Sequence, residues 1–321
     1  MKKSWWKIIL FVWMSLCCVV GLIPPIAGNF TDLGIASQAD PSKRVAVKLA
    51  VIDKEKAAFS QMDKLFEFTG RDQNGNTADI YIQAKPSDFD AVHSYLIDAS
   101  YDHNRHGVLA HKILQSDPGF TLPFIIGLEE RARIIFFHVP MAWMTVIAFL
   151  VSMIYGIRFL RTKDLDMDSK STISAGIGLL FCILATVTGS IWAKFNWGSF
   201  WNWDPRETSI FVLLLVYGAY FALRSAIDIE EKRAALSAVY SILAFVTVPF
   251  FIFIMPRIMP GLHPGSADDT NSGPVMSAGG MNAAMRVVLY STLAGFIALY
   301  VWLMQIKIRL SHLNFKKTLG A

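Results

Sequence analysis

The stretch MAWMTVIAFLVSMIYGIRFL, residues Met141–Leu160, carries a single charged side chain, Arg158, close to its end. A helix needs about 20 mostly apolar residues to cross the hydrocarbon core of a bilayer, so this stretch reads as a membrane span. Five further segments meet the same requirement: Trp5–Ile26, Ile173–Trp192, Ser209–Ile227, Leu236–Met255 and Ala284–Ile306. The composition agrees, since the 321-residue chain is 54% hydrophobic and only 17% charged, against about 25% charged in soluble domains. The lipid bilayer is therefore an expected partner. The net charge of +5 is mild and of the kind that cytoplasmic loops supply, so nucleic acid is not an expected partner. Cys17, Cys18 and Cys182 lie inside apolar runs, without metal-ligand spacing or a disulfide framework, and are read as packing residues.

Short basic loops orient the spans. Arg158, Arg161, Lys163 and Lys170 flank one loop, and Arg224, Lys232 and Arg233 another. Lys2, Lys3 and Lys7 precede the first span; Lys307, Arg309, Lys316 and Lys317 follow the last. The alternate loops carry only Lys194 with Arg206, and Arg257 with Arg286. The positive-inside rule then places both termini in the cytoplasm and the long segment Gly28–Arg133 outside, in a multi-pass protein of the cytoplasmic (inner) membrane. The first span is longer than the 7–15 residues typical of a signal-peptide core and lacks a small-residue cleavage site, so an uncleaved anchor is expected.

The long outer segment has a different pattern. Val45, Val47, Leu49 and Val51 alternate with polar residues, as do Ile80 and Ile82, then Tyr95, Ile97 and Ala99, then Val108, Ala110 and Leu114. Alternation at period two marks half-buried strands, and Asn74–Gly75 is a hairpin-turn signal. A small β-barrel or sandwich is expected there.

Between spans three and four lies WGSFWNWDPRET, Trp197–Thr208. Aromatic residues at membrane interfaces usually spread over many loop ends; here Trp197, Phe200, Trp201 and Trp203 crowd into one. Such rings form an apolar platform suited to a planar macrocycle. Asp204, Pro205 and Glu207 have a structural explanation as N-cap, first helical residue and capping-box partner at the start of span four. His138 precedes span two and His263 lies between spans five and six. Four spans separate the histidines and two separate His138 from the tryptophans, so by parity all three features share one side. Haem iron takes two axial ligands, most often imidazoles, whereas zinc or copper sites usually want three or four. His93, His103, His106 and His111 belong to the outer domain, with His111 read as structural, and His312 is cytoplasmic. Lys194 or Arg206 would pair with a haem propionate or with a lipid headgroup.

At these residues the sequence resembles the CcmC-type, WWD-motif family of haem-handling cytochrome c biogenesis proteins. The resemblance rests on Trp197–Thr208, on Thr188-Gly189-Ser190-Ile191-Trp192 before it, and on His138-Val139-Pro140 and Leu262-His263-Pro264-Gly265 on either side. It implies haem b held by His138 and His263 as axial ligands, with Trp197, Trp201, Trp203, Asp204 and Arg206 completing the site. It also implies delivery of haem to a chaperone of the CcmE type, together with ABC-type subunits of the maturation system, by binding and transfer without chemical turnover. The form Asp204-Pro205-Arg206-Glu207-Thr208 is closer to the synthetase relatives, which makes a membrane haem lyase the alternative; an ABC-type permease for another solute is a third. Residues 85–114 are similar to the OB-fold domain of the CcmE chaperone. The haem-attaching His of that family would fall near Ser116, so no covalent haem is expected on this domain. The whole reads as an all-α polytopic membrane protein of six transmembrane helices plus a small extracytoplasmic OB-like β-barrel. Residues 1–27 form the anchor helix, 28–125 the outer domain, 126–306 a five-helix haem-handling domain and 307–321 a cytoplasmic tail.

Overall fold

The computed structural model describes residues 5–61, 64–123, 128–263, 266–267 and 283–318. Two compact units are present, Leu22–Ala132 and the remainder of the chain. The helical unit opens with α1 (Trp5–Leu22) and resumes after the barrel unit.

The barrel unit contains β1 (Ile26–Ala27), α2 (Phe30–Ala39), β2 (Val45–Ile52), β3 (Ala58–Ser60), β4 (Leu65–Asp72), β5 (Thr77–Ile82), β6 (Ser94–Asp102), β7 (Gly107–Ser116) and β8 (Leu122–Pro123). Strands β2, β4, β5, β7 and β6 pair in that order, and β6 returns to β2, which closes a five-stranded barrel. Every pairing in the ring is antiparallel except β5 with β7. In chain order the neighbours run first, second, third, fifth, fourth, the connectivity of an OB barrel. The alternating residues supply its core: Val45, Val47, Leu49, Ile80, Tyr95, Ile97 and Val108 are buried with Phe66, Phe68 and Phe89. The Asn74–Gly75 turn joins β4 to β5, with Gly75 at a φ of 89°, a conformation that glycine tolerates.

Two features of this unit depart from the sequence reading. Leu114 is exposed rather than inward-facing. The β6–β7 register slips between Asp98 and Ala99 and again between Leu96 and Ile97, which leaves His111 and Leu114 as the extra residues on β7. Each bulge shifts the alternation by one position, so Ile113 takes the inward place. Bulged His111 bonds Ser100 Oγ through Nε2 at 2.7 Å, in keeping with a structural role. The second departure is α2, hidden among the strands. Asn29 and Asp32 form a reciprocal capping box at its start, a signal legible as Asn-x-x-Asp but not read as a helix.

The helical unit continues with α3 (Ile135–Thr162), α4 (Leu165–Trp197), α5 (Pro205–Ser225), α6 (Glu230–Pro249), one π-helical turn at Phe250–Ile254, α7 (Met255–Ile258) and α8 (Ala283–Thr318). Six helical stretches among the described residues are long and apolar enough to cross a membrane. The protein is a multi-pass membrane protein. His138 lies in the first turn of α3 rather than in a loop ahead of it, because the helix starts at Ile135, before Pro140.

Close packing brings α3, α4 and α5 together. Phe149 of α3 stacks on Tyr217 of α5 with ring centroids 3.3 Å apart, and a side chain at Gly178 of α4 would meet the Phe149 ring at 2.6 Å. At the far end from the tryptophan loop, Asp168 of α4 holds Arg224 of α5 by two hydrogen bonds of 2.7 and 2.8 Å. Both side chains are nearly buried, and an unpaired charge left there is expensive. Arg224→Leu alone is expected to destabilise the detergent-solubilised protein by about 3–5 kcal/mol. Adding Asp168→Leu should recover much of the loss, and equal unfolding midpoints for the single and double variants would contradict this account of the pair.

Candidate functional site

The aromatic loop begins where α4 stops. Gly198 adopts a left-handed φ of 80°, and its amide donates to the Lys194 carbonyl at 3.1 Å. The Lys194 ammonium donates to the Gly198 carbonyl at 2.8 Å and lies over the Phe200 ring, so this lysine closes the helix end. Trp203 has a φ of 57°, an uncommon and strained backbone for a bulky residue. It brings the chain into Asp204, the N-cap of α5.

The capping box expected from the sequence is present. Asp204 accepts the Arg206 amide at 2.8 Å, and Glu207 Oε2 accepts the amides of Asp204 at 3.3 Å and Asn202 at 2.7 Å. The same fully buried Asp204 carboxylate reaches a distant loop. Its Oδ2 accepts the Leu262 amide at 2.7 Å, and its Oδ1 lies 2.7 Å from His263 Nδ1. Burial pushes the Asp204 carboxyl up, but the hydrogen bonds from His263 and from the Arg206 and Leu262 amides outweigh it and hold the group at about 2. An ionised acceptor at Nδ1 fixes the proton there and leaves Nε2 with a free lone pair. Gly261 permits the approach, because a methyl group on it would stand 2.8 Å from Asp204 Oδ2 and 2.9 Å from Pro205 Cδ. Ser266 Oγ donates to the His263 carbonyl at 2.8 Å. Pro264 and Gly265 of the motif lie outside the described residues.

His138 is held in a parallel way. Its Nδ1 lies 3.0 Å from Thr188 Oγ1, and the Thr188 hydroxyl donates to the Leu184 carbonyl at 2.8 Å. With that proton committed, Thr188 accepts from His138 Nδ1, and again Nε2 keeps its lone pair. Gly189 makes room for the ring, since a methyl there would lie 2.9 Å from His138 Cε1. One turn further along α4, Trp192 packs against His263 with centroids 5.7 Å apart. A single helix end thus touches both imidazoles.

The tryptophans divide into two groups. Trp197 meets Trp192 at 4.9 Å and His263 at 4.7 Å, both edge to face. Trp201 and Trp203 pack instead with each other and with Phe211, and Trp203 is exposed. The buried Trp192 indole N–H has no acceptor among the described residues. Sequence reading gave no role to Thr188, Gly189, Trp192 or Gly261. The spacing of Thr188 and Trp192 on one helix face was the available signal. Among the described residues no group of three or more His, Cys, Asp or Glu side chains is gathered.

The family model described as CcmC, heme exporter protein C, matches residues 122–318; the barrel strands β2–β7 precede the matched region. The chain is 30% identical to heme exporter protein C of Paracoccus denitrificans over 191 residues, 60% of this chain and 77% of that protein. It is 34% identical to heme exporter protein C of Bradyrhizobium diazoefficiens over 121 residues, 38% of this chain and 46% of that protein. Cytochrome c biogenesis protein CcsA of Cuscuta reflexa is 32% identical over 112 residues, covering 34% of this chain and 35% of its own length.

The Asp204 geometry has a pH signature. Its folded-state value lies below the ordinary carboxylate value, so its stabilising contribution is complete above about pH 4 and is lost as pH falls toward 2. Asp204→Asn keeps a good N-cap residue but removes the charge, and is expected to cost about 2 kcal/mol at pH 7. Thermal unfolding of both proteins across pH should show that gap closing in acid; a gap of constant size would contradict the charge argument.

Proposed function

The chain belongs to the CcmC family, heme exporter protein C, and from that premise we propose that it binds haem b at the outer face of the cytoplasmic membrane and delivers it for cytochrome c maturation. The observation that supports this reading is the pair of preset imidazoles. His138 and His263 each have Nδ1 tied to an oxygen acceptor, which turns Nε2 into the ligating nitrogen, and both touch the last turns of α4. That donor set suits a ligand offering two axial positions. The buried Trp192 N–H without an acceptor suits a ligand that also carries carboxylates.

Haem supplies an iron with two open axial positions, a flat apolar face and two propionates. His138 and His263 provide the axial nitrogens, and Asp204 orients the His263 ring. Trp192 and Trp197 exclude water beside His263, while Trp201 and Trp203 present further aromatic surface from the same loop. Lys194 or Arg206 would pair with a propionate. Partners of this function are a haem chaperone of the CcmE type and ABC-type subunits of the maturation system. In this orientation both termini are cytoplasmic and the barrel is outside. The barrel's Ser116, near where the chaperone family carries its attaching histidine, donates its hydroxyl to Asp88 and offers no imidazole for covalent attachment.

Similarity to CcsA keeps a second reading, a synthetase-like haem lyase. That chemistry draws on additional intramembrane histidines, and after residue 133 this sequence has only His138, His263 and His312.

Haem titration of the purified protein is expected to give a bis-imidazole visible spectrum that the His138→Ala/His263→Ala double variant lacks; an unchanged spectrum would remove the ligand assignment. Trp192→Ala and Trp197→Ala should each weaken haem retention about fivefold, from about 1 kcal/mol per ring contact. Full retention in both would reduce those rings to packing.

A further inference from the structure

The two imidazoles are preset alike but are not equivalent. His263 Nδ1 is 2.7 Å from a fully buried carboxylate, whereas His138 Nδ1 meets the neutral Thr188 hydroxyl at 3.0 Å. A carboxylate at the far nitrogen raises the basicity of a metal-ligating imidazole, and removing such a partner typically costs about 10–100-fold in metal affinity. A neutral hydroxyl does this far less.

The supports also differ in how tightly they fix each ring. On the His263 side the Leu262 amide, the His263 ring and the His263 carbonyl are all engaged, by Asp204 and Ser266. The Asp204 end is itself locked into the start of α5 by the Arg206 amide and Glu207. Among the described residues the His138 ring nitrogen meets one side chain of α4, and that contact is shared, because Thr188 also serves the carbonyls of Leu184 and Ala185.

We propose that the site grips its cargo unequally, with His263 as the strong, retained ligand and His138 as the ligand that lets go first when haem passes to an acceptor protein. The inference rests on the haem-ligand reading above and assigns Asp204 and Thr188 as the positioning residues that set the asymmetry. At handover the iron–Nε2 bond of His138 breaks, its electron pair stays on the imidazole, and a ligand of the acceptor takes the vacated position. No electron or proton need be exchanged with another reagent.

The test compares four variants of the full-length protein loaded with haem: His138→Ala, His263→Ala, Asp204→Asn and Thr188→Val. Three properties are read: the visible and electron-paramagnetic-resonance spectra, the midpoint potential, and the rate of haem loss to excess apomyoglobin. The expected result is unequal. His138→Ala should retain haem through one histidine and regain a bis-imidazole spectrum with added imidazole. His263→Ala should lose haem at least tenfold faster than His138→Ala. Asp204→Asn should raise the midpoint potential, because the ferric iron loses an electron-rich ligand, and should speed haem loss about tenfold. Thr188→Val should leave the potential near that of the parent protein and change the loss rate less. Equal haem loss from the two histidine variants, or the reverse order, would overturn the asymmetry while leaving the ligand pair in place. An Asp204→Asn potential identical to the parent's would do the same. If Asp204→Asn fails to fold, the comparison of the two histidine variants still decides. A bis-imidazole spectrum that survives in either single variant without added imidazole would instead overturn the ligand assignment.

Discussion

The buried carboxylate of Asp204 is the constraint on which the site depends. It accepts from the backbone at the start of α5 and from the Leu262 amide, and it reaches His263 Nδ1. Any one of these contacts would be an ordinary cap or an ordinary loop tie. Together they make the start of one helix, the path of a distant loop and the tautomer of an imidazole parts of one arrangement. Gly261 is required because a side chain there would strike Asp204 and Pro205. The left-handed turn at Trp203 is the local strain that brings the carboxylate into place, and it is sustained by contacts the turn itself does not supply.

Helix α4 carries the second half of the arrangement. Its last turns offer Thr188 and Gly189 to His138, and Trp192 to His263. Its C-terminus is finished by Gly198 and Lys194. Its other end is fixed to α5 through the Asp168–Arg224 pair, and its middle packs on α3 through Gly178 under Phe149. The positions of both histidines therefore follow from the packing of α3, α4 and α5 together with one carboxylate.

Much of this was legible in the sequence because the signals are local. Six apolar runs announce six spanning helices, Asp204-Pro205-x-Glu207 announces a capped start, and Asn74–Gly75 with alternating apolar residues announces the strands. The two histidines were found by counting spans. What was not legible depends on residues distant in the chain. Nothing near Asp204 says that its carboxylate holds His263, 59 positions on. Thr188 and Gly189 stood in the sequence as part of a motif, and their contact with His138 appears only once α3 lies against them. The tryptophans were expected as one platform; packing separates Trp197, which meets His263, from Trp201 and Trp203, which meet Phe211. In the barrel, bulges at His111 and Leu114 reversed an alternation that a strict period of two would have carried on.

The central claim is that two histidine nitrogens, one from each of these supports, face a single iron. Pulsed electron-paramagnetic-resonance spectroscopy of the ferric-haem-loaded protein, labelled with ¹⁵N only at histidine, reads those nitrogens directly. The account predicts two strongly coupled ¹⁵N nuclei, one disappearing with His138 and the other with His263. A single ¹⁵N coupling, or couplings that persist in the absence of both side chains, would contradict it.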